Sequence, residues 1–206
     1  MKTQSDWKQA DLVQVRSTAQ VSNINLPNVL TVARILLIPV FVVLFVTPTP
    51  DRSLAAVVVF IIAALTDLLD GYLARRCGQV TKLGRLLDPI ADKLLILSAL
   101  ILLVQVDRVS ALVAILIIAR EVAVTGIRAI AATEGIIISA ETTGKYKMAL
   151  QVIAIVLLIL EGTVLSDYGN VHLAGIVTLY LSLALGYLSG GQYVWSFWRQ
   201  ITLKGL

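Results

Sequence analysis

The stretch Ile61–Leu97 reads IIAALTDLLDGYLARRCGQVTKLGRLLDPIADKLLIL, and its reading decides the fold. Two apolar runs flank a short, polar and basic link from Arg76 to Leu83, and each run carries a pair of aspartates at helical spacing, Asp67 with Asp70 and Asp88 with Asp92. The runs are long and continuous and lack period-two alternation, which predicts helices rather than strands. A link this short turns the two helices into an antiparallel pair, with both aspartate pairs at the same end. A carboxylate inside a bilayer segment costs roughly 2.5–3.5 kcal/mol on insertion scales unless it is paired or solvated. Four of them need a shared reason. A divalent cation supplies one, because it takes hard oxygen ligands and offsets the mutual repulsion of the carboxylates.

The rest of the chain fits a membrane setting. Of 206 residues, 58% are hydrophobic and only 15% are charged, with a mean hydropathy of +0.88; an ordinary soluble domain is about half apolar. Six segments approach the ~20 residues that span hydrocarbon as a helix: Leu30–Thr47, Leu54–Leu73, Leu86–Val106, Ser110–Ala131, Lys147–Leu165 and Leu173–Trp195. The expected fold is therefore an all-α integral membrane protein of one domain with six transmembrane helices. Residues 1–24 are polar and mixed in charge, without the apolar core of a secretory signal. They are expected to form a cytoplasmic tail or a helix on the membrane surface, where Trp7, Leu12, Val13 and Val15 give a weak apolar face. Cys77 is the single cysteine, so no internal disulfide is possible.

Basic residues set the orientation. With this threading, twelve of the 17 Lys and Arg fall on one side, Arg52 and Arg108 on the other, and Arg34, Lys93 and Arg120 within spans. The positive-inside rule then places both termini in the cytoplasm. The expected location is a bacterial inner (plasma) membrane, with the chemistry facing the cytoplasm. Nothing in the charge pattern points to nucleic acid.

Asp67, Gly71 and Ala74 share one helix face, with Asp70 beside it; Asp88 and Asp92 are i, i+4, with Gly84 a turn earlier. This set suits one or two Mg²⁺ or Mn²⁺ ions held by carboxylates and substrate phosphate oxygens. Gly71, Ala74 and Gly84 remove bulk, either for close helix packing or for a substrate. Arg75 stands where a cation can meet phosphate. Ion pairing alone is a poor account of the aspartates, because Arg34, Lys93 and Arg120 cannot readily serve four carboxylates at fixed spacing.

The pattern D-x2-D-G-x2-A-R-x8-G-x3-D-x3-D is met at Asp67, Asp70, Gly71, Ala74, Arg75, Gly84, Asp88 and Asp92, and it resembles the defining motif of the CDP-alcohol phosphatidyltransferase family. The resemblance covers roughly residues 25–195 and implies that residues 25–206 form the transferase domain. It implies that a hydroxyl of an acceptor alcohol attacks the lipid-side phosphate of a CDP-linked lipid, with CMP leaving. By the same resemblance Asp92 is the general base, Asp67, Asp70 and Asp88 are mainly metal ligands, and Gly71, Ala74 and Arg75 contact the cytidine nucleotide. Gly84 and Thr31 are assigned to the same CDP moiety. Thr31 and Arg34 lie three residues apart on the first span, where buttressing of the aspartates is the competing role. A homodimer through membrane helices also follows from the resemblance alone.

Three further stretches are similar to the bacterial phosphatidylglycerophosphate synthases within that family: Asn25–Arg34, Ala119–Arg128 and Thr143–Gln151. Met148 departs from the threonine common in that group. The implied substrates are CDP-diacylglycerol and sn-glycerol 3-phosphate. An acceptor that carries a phosphate needs fixed cations, and Arg120, Arg128 and Lys145 are the candidates; Lys145 follows Gly144 at a helix start, which favours anions. For Lys145 and Lys147 the competing role is an interfacial anchor. Glu121 is expected to compensate Arg120 only in part, since neighbours on a helix diverge. His172 reads as a loop residue, and Trp195, Phe197 and Trp198 as an interfacial belt. Two other functions fit less well. One is the same chemistry with inositol phosphate, serine or phosphatidylglycerol as acceptor, and the other is divalent-cation transport through the aspartates.

Overall fold

The computed structural model describes residues 26–77, 82–133, 142–163 and 170–204. Side chains are described for 31–66, 91, 93–133, 146–163 and 170–202. The described residues form six α-helices and no strand: α1 Leu26–Phe45, α2 Pro50–Cys77, α3 Lys82–Gln105, α4 Ala111–Thr133, α5 Thr142–Leu160 and α6 Val171–Lys204. They match the six apolar segments of the sequence to within a few residues at most ends, with one large difference. The last helix runs on past Trp195 to Lys204, because no proline follows and the glycines at 190 and 191 are tolerated inside it. Residues 1–24 lie outside the described residues.

Local signals explain the boundaries. Pro50 opens α2, where its missing N–H costs nothing, and Thr49 Oγ1 caps that turn by accepting from Arg52 N at 3.4 Å. Asn170 Oδ1 accepts from Leu173 N at 3.2 Å and starts α6. Gly162, with φ of 78°, ends α5 in the left-handed conformation that favours glycine. Asp107 adopts a φ of 56° and lets Arg108 N and Val109 N fold back on Leu103 O, which closes the α3–α4 hairpin within a few residues.

The broadest helix pairings are α5 with α6 and α1 with α2; α1 also packs on α3, α4 on α6 and α2 on α5. The core occupies the half of the bundle away from the aspartates. Phe41, Phe45 and Phe60 are fully buried, with Phe41 5.9 Å from Phe45 and 5.6 Å from Phe60 between ring centroids. Ala56, Ala63 and Ala99 are buried at the crossings and let helices approach without side-chain bulk. Gly175 does the same on α6, since a Cβ there would lie 2.8 Å from Leu158 Cγ. Outward-facing positions stay apolar: Leu36, Val43, Ile101, Leu112, Ile115 and Leu188 are all exposed.

Of the described stretches, Val171–Thr202 alone is long and apolar enough to cross a membrane by itself, and Thr31–Phe45, Lys93–Gln105 and Tyr146–Leu160 are shorter apolar runs. α4 is 23 residues long and carries three charged side chains, Arg120, Glu121 and Arg128.

The end of the bundle opposite the aspartates is pinned by Arg108. Its Nη1 donates to Leu158 O at 2.9 Å and Ile159 O at 3.0 Å, the last carbonyls of α5, which lack partners within the helix. Its guanidinium lies 5.6 Å from the Phe45 ring centroid and its Nε lies 3.7 Å from Glu161 Oε2. Burial lowers the Arg108 pKa from its ordinary value, and Glu161 opposes that shift. His172 is not a loop residue; it sits in the first turn of α6 with Nδ1 2.8 Å from Glu161 Oε2. Substituting Arg108→Ala is expected to lower stability by about 1–3 kcal/mol, the range for losing hydrogen bonds to a charged donor. Thermal unfolding in detergent checks this, and an unchanged midpoint would contradict it.

Candidate active site

The aspartate motif falls on two helices that contact one another. Asp67, Asp70, Gly71, Ala74 and Arg75 belong to the second half of α2, and Gly84, Asp88 and Asp92 to the first half of α3. α3 runs through Pro89 without ending. The side chains of these eight motif residues, and of Lys145 in the first turn of α5, lie outside the described residues. Among the described residues no three His, Cys, Asp or Glu side chains gather to hold a metal.

Next to that motif the described residues build a polar cluster where α3, α4, α5 and α6 meet. Its centre is Glu121. Oε1 of Glu121 accepts from Arg120 Nη1 at 2.8 Å and pairs with Lys147 Nζ. Neighbouring residues leave a helix at different angles, but both side chains are long enough to curl toward each other; Glu121 is shared with Lys147, so it compensates Arg120 only in part, as the sequence leads one to expect. Arg120 also reaches α6, where its Nε donates to Gly186 O at 2.7 Å. A Cβ on Gly186 would lie 3.5 Å from Arg120 Nε and 3.6 Å from Lys147 Cδ. One on Gly190 would lie 3.3 Å from Val124 Cγ2. A Cβ at position 186 would make ordinary contacts, whereas one at position 190 would crowd Val124.

Lys147 is not an interfacial anchor. It is 8% exposed because it stands on the α5 face that α6 covers. Lys93, directly after Asp92, donates through Nζ to Thr125 Oγ1, and Thr125 Oγ1 donates in turn to Glu121 O at 2.7 Å. The turn of α3 that carries Asp92 is thus tied to the turn of α4 that carries Glu121. Arg128, two turns beyond Arg120, is exposed and stacks 5.3 Å from the Tyr193 ring centroid. Thr31 and Arg34 are fully buried on α1, which packs on both α2 and α3.

Two cavities open beside Glu121. One of about 60 Å³ lies between α3, α4 and α5 and is lined by Lys93, Glu121, Lys147 and Gln151 among apolar neighbours. A smaller one of about 10 Å³ continues toward α6 and adds Arg120, Ser182 and Gly186. The bundle therefore gathers Lys93, Arg120, Glu121 and Lys147 beside the turn of α3 that carries Asp92.

Sequence reasoning singled out Arg120, with Glu121 as its partial counter-charge, but missed Lys147, Gln151 and Gly186 as parts of the same cluster. A signal was present. Ser182, Gly186 and Gly190 recur every four residues on α6, the small-residue pattern of close helix packing. It marks the stripe onto which Arg120 and Lys147 fold.

The chain belongs to the CDP-alcohol phosphatidyltransferase family, whose model matches residues 24–188. Among named relatives it is similar to the CDP-diacylglycerol–glycerol-3-phosphate 3-phosphatidyltransferase of Bacillus subtilis (strain 168), at 39% identity over 86% of this chain and 97% of that protein. It is similar to the proteins of the same name from Rickettsia bellii (strain RML369-C), at 37% identity over 82% of this chain and 93% of that one, and from Pseudomonas fluorescens, at 39% over 88% and 94%.

A double-mutant cycle tests the clasp. Glu121→Gln and Lys147→Met are each expected to destabilise the protein, with a coupling of about 0.5–3 kcal/mol between them, the range for residues in direct contact. Unfolding of the two single variants and the double variant measures it, and strict additivity would contradict the pair.

Proposed function

We propose that this protein transfers a phosphatidyl group from CDP-diacylglycerol to sn-glycerol 3-phosphate, giving phosphatidylglycerophosphate and CMP. Family membership supports the reaction type. The observation that carries the acceptor is the cationic cluster beside the aspartate motif: a phosphate-bearing acceptor needs fixed positive charge besides any metal, and among the described side chains Arg120 and Lys147 share the one carboxylate of Glu121 there. The names of the relatives agree with this acceptor.

In this reading Asp67, Asp70, Asp88 and Asp92 are the donors for Mg²⁺ or Mn²⁺, and their all-carboxylate chemistry fits a hard divalent ion. When bound, the metal supplies charge neutralisation at the diphosphate and the departing CMP. Gly71, Ala74, Arg75, Gly84 and Thr31 contact the CDP moiety. Arg34, fully buried on a helix packed against both acidic helices, supports the aspartates electrostatically. Asp92 takes the proton of the acceptor's terminal hydroxyl as its oxygen forms the bond to the lipid-side phosphorus. The bond from that phosphorus to the CMP oxygen breaks, and CMP leaves with its electron pair. Arg120, Arg128 and Lys145 hold the acceptor phosphate, with Arg120 fixed by Glu121 and Gly186.

The topology proposed with this function is six spans with both termini cytoplasmic, in a bacterial inner membrane with the site opening to the cytoplasm. Residues 25–206 form the transferase domain, residues 1–24 form a tail or surface helix, and two copies pair through membrane helices. What supports the topology is the strong skew of Lys and Arg to one side. Exposed Trp195 and Trp198 beside Arg199 on α6 suit the headgroup level.

Each of Asp67→Ala, Asp70→Ala, Asp88→Ala and Asp92→Ala is expected to lower turnover by orders of magnitude. Arg120→Ala is expected mainly to raise KM for glycerol 3-phosphate, about tenfold or more, the scale of one lost charge-assisted contact. Steady-state CMP release with purified protein checks both. Full activity in an aspartate variant would remove that residue from the site, and an unchanged KM in the Arg120 variant would remove it from the acceptor subsite.

A further inference from the structure

Gln151 belongs to the cluster, and the reaction above does not use its chemistry. It stands on α5, one turn past Lys147, and is 3% exposed. Its Nε2 has no hydrogen-bond partner. A buried amide donor left unpaired costs about 1–3 kcal/mol, so a folded protein retains one where a ligand or a water takes the bond.

Its position says which part of a ligand that is. Gln151 lines both cavities, with Glu121 and Lys147. The larger cavity reaches Lys93, the residue after Asp92; the smaller reaches Arg120. Gln151 therefore stands between the end of the site where the acceptor reacts and the end where its phosphate is held. Between its terminal hydroxyl and its phosphate, glycerol 3-phosphate carries one more polar group, the middle hydroxyl. A hydroxyl both accepts and donates a hydrogen bond, and a buried amide N–H beside a carboxylate is its complement. The larger cavity, about 60 Å³, has room for a few water-sized groups.

We propose that Gln151 determines acceptor specificity by donating a hydrogen bond from Nε2 to the oxygen of the acceptor's non-reacting hydroxyl, which keeps its proton and donates a hydrogen bond to the Glu121 carboxylate. The inference rests on the glycerol 3-phosphate reading and deepens it. A site built to hydrogen-bond a substrate hydroxyl rejects the analogue that lacks it, because the buried partner is then stranded.

The test compares kcat/KM for glycerol 3-phosphate with that for 3-hydroxypropyl phosphate, which lacks the middle hydroxyl, using the full-length protein in detergent with CDP-diacylglycerol. Wild type is expected to prefer glycerol 3-phosphate tenfold or more. Gln151→Met and Gln151→Leu are expected to bring that preference to within about threefold of unity. The ratio does not depend on the folded fraction, so a merely structural role would lower both values and leave it unmoved. A wild-type protein without the preference overturns the proposal even if neither variant folds. A variant that keeps the wild-type ratio overturns it too. Wild-type turnover of neither phosphate, alongside turnover of a phosphate-free alcohol, would instead overturn the acceptor reading and this inference with it.

Discussion

One carboxylate, Glu121, holds two cations at once. A guanidinium or ammonium inside an apolar bundle is costly to leave alone, and Glu121 Oε1 meets Arg120 and Lys147 together. The arrangement of the bundle beside the motif follows from that constraint. α4 supplies Arg120 and Glu121 and α5 supplies Lys147, while α6 presents the Gly186 carbonyl to Arg120. The Lys93–Thr125 contact adds α3 at the residue after Asp92. Among the described side chains, Arg120 and Lys147 share the one carboxylate of Glu121, and Lys93 reaches the same turn of α4.

The two ends of the bundle divide the work. Away from the motif, aromatic and alanine packing with the Arg108 cap gives a rigid, well-filled core. Toward the motif, buried apolar side chains give way to Thr31, Arg34, Lys147 and Gln151, and cavities open. A polar site in a membrane bundle needs such a base, because its own groups contribute little net stability once desolvation is counted.

Much of this was legible in the sequence, and the reasons differ by feature. The helices were readable because continuous apolar runs admit little else, and their order followed from short polar links. The aspartate motif was readable because eight fixed positions at fixed spacing are specific. The extension of α6 to Lys204 was not, because aromatic and basic residues at a membrane edge read as a boundary while the backbone has no reason to stop. Nor were the Glu121 clasp and the burial of Lys147. Helical-wheel reasoning separates residues 120 and 121 by direction, whereas long side chains bend back. Whether a lysine near a helix end faces lipid headgroups or a neighbouring helix depends on tertiary packing. Gln151 stood in a stretch that pointed to the acceptor class, but a glutamine's role emerges only when its neighbours and its unpaired nitrogen are known.

We propose that carboxylates on α2 and α3 and cations on α3, α4 and α5 form one site for two phosphate-bearing substrates. The most direct measurement follows CMP release and labelled lipid formation together, using purified protein, CDP-diacylglycerol and Mg²⁺ or Mn²⁺, with and without labelled glycerol 3-phosphate. The account predicts one CMP released per labelled phosphatidylglycerophosphate formed, with both products requiring the metal and glycerol 3-phosphate. CMP release that ignores glycerol 3-phosphate and depends on another alcohol, or no release from folded protein with any acceptor, would contradict it.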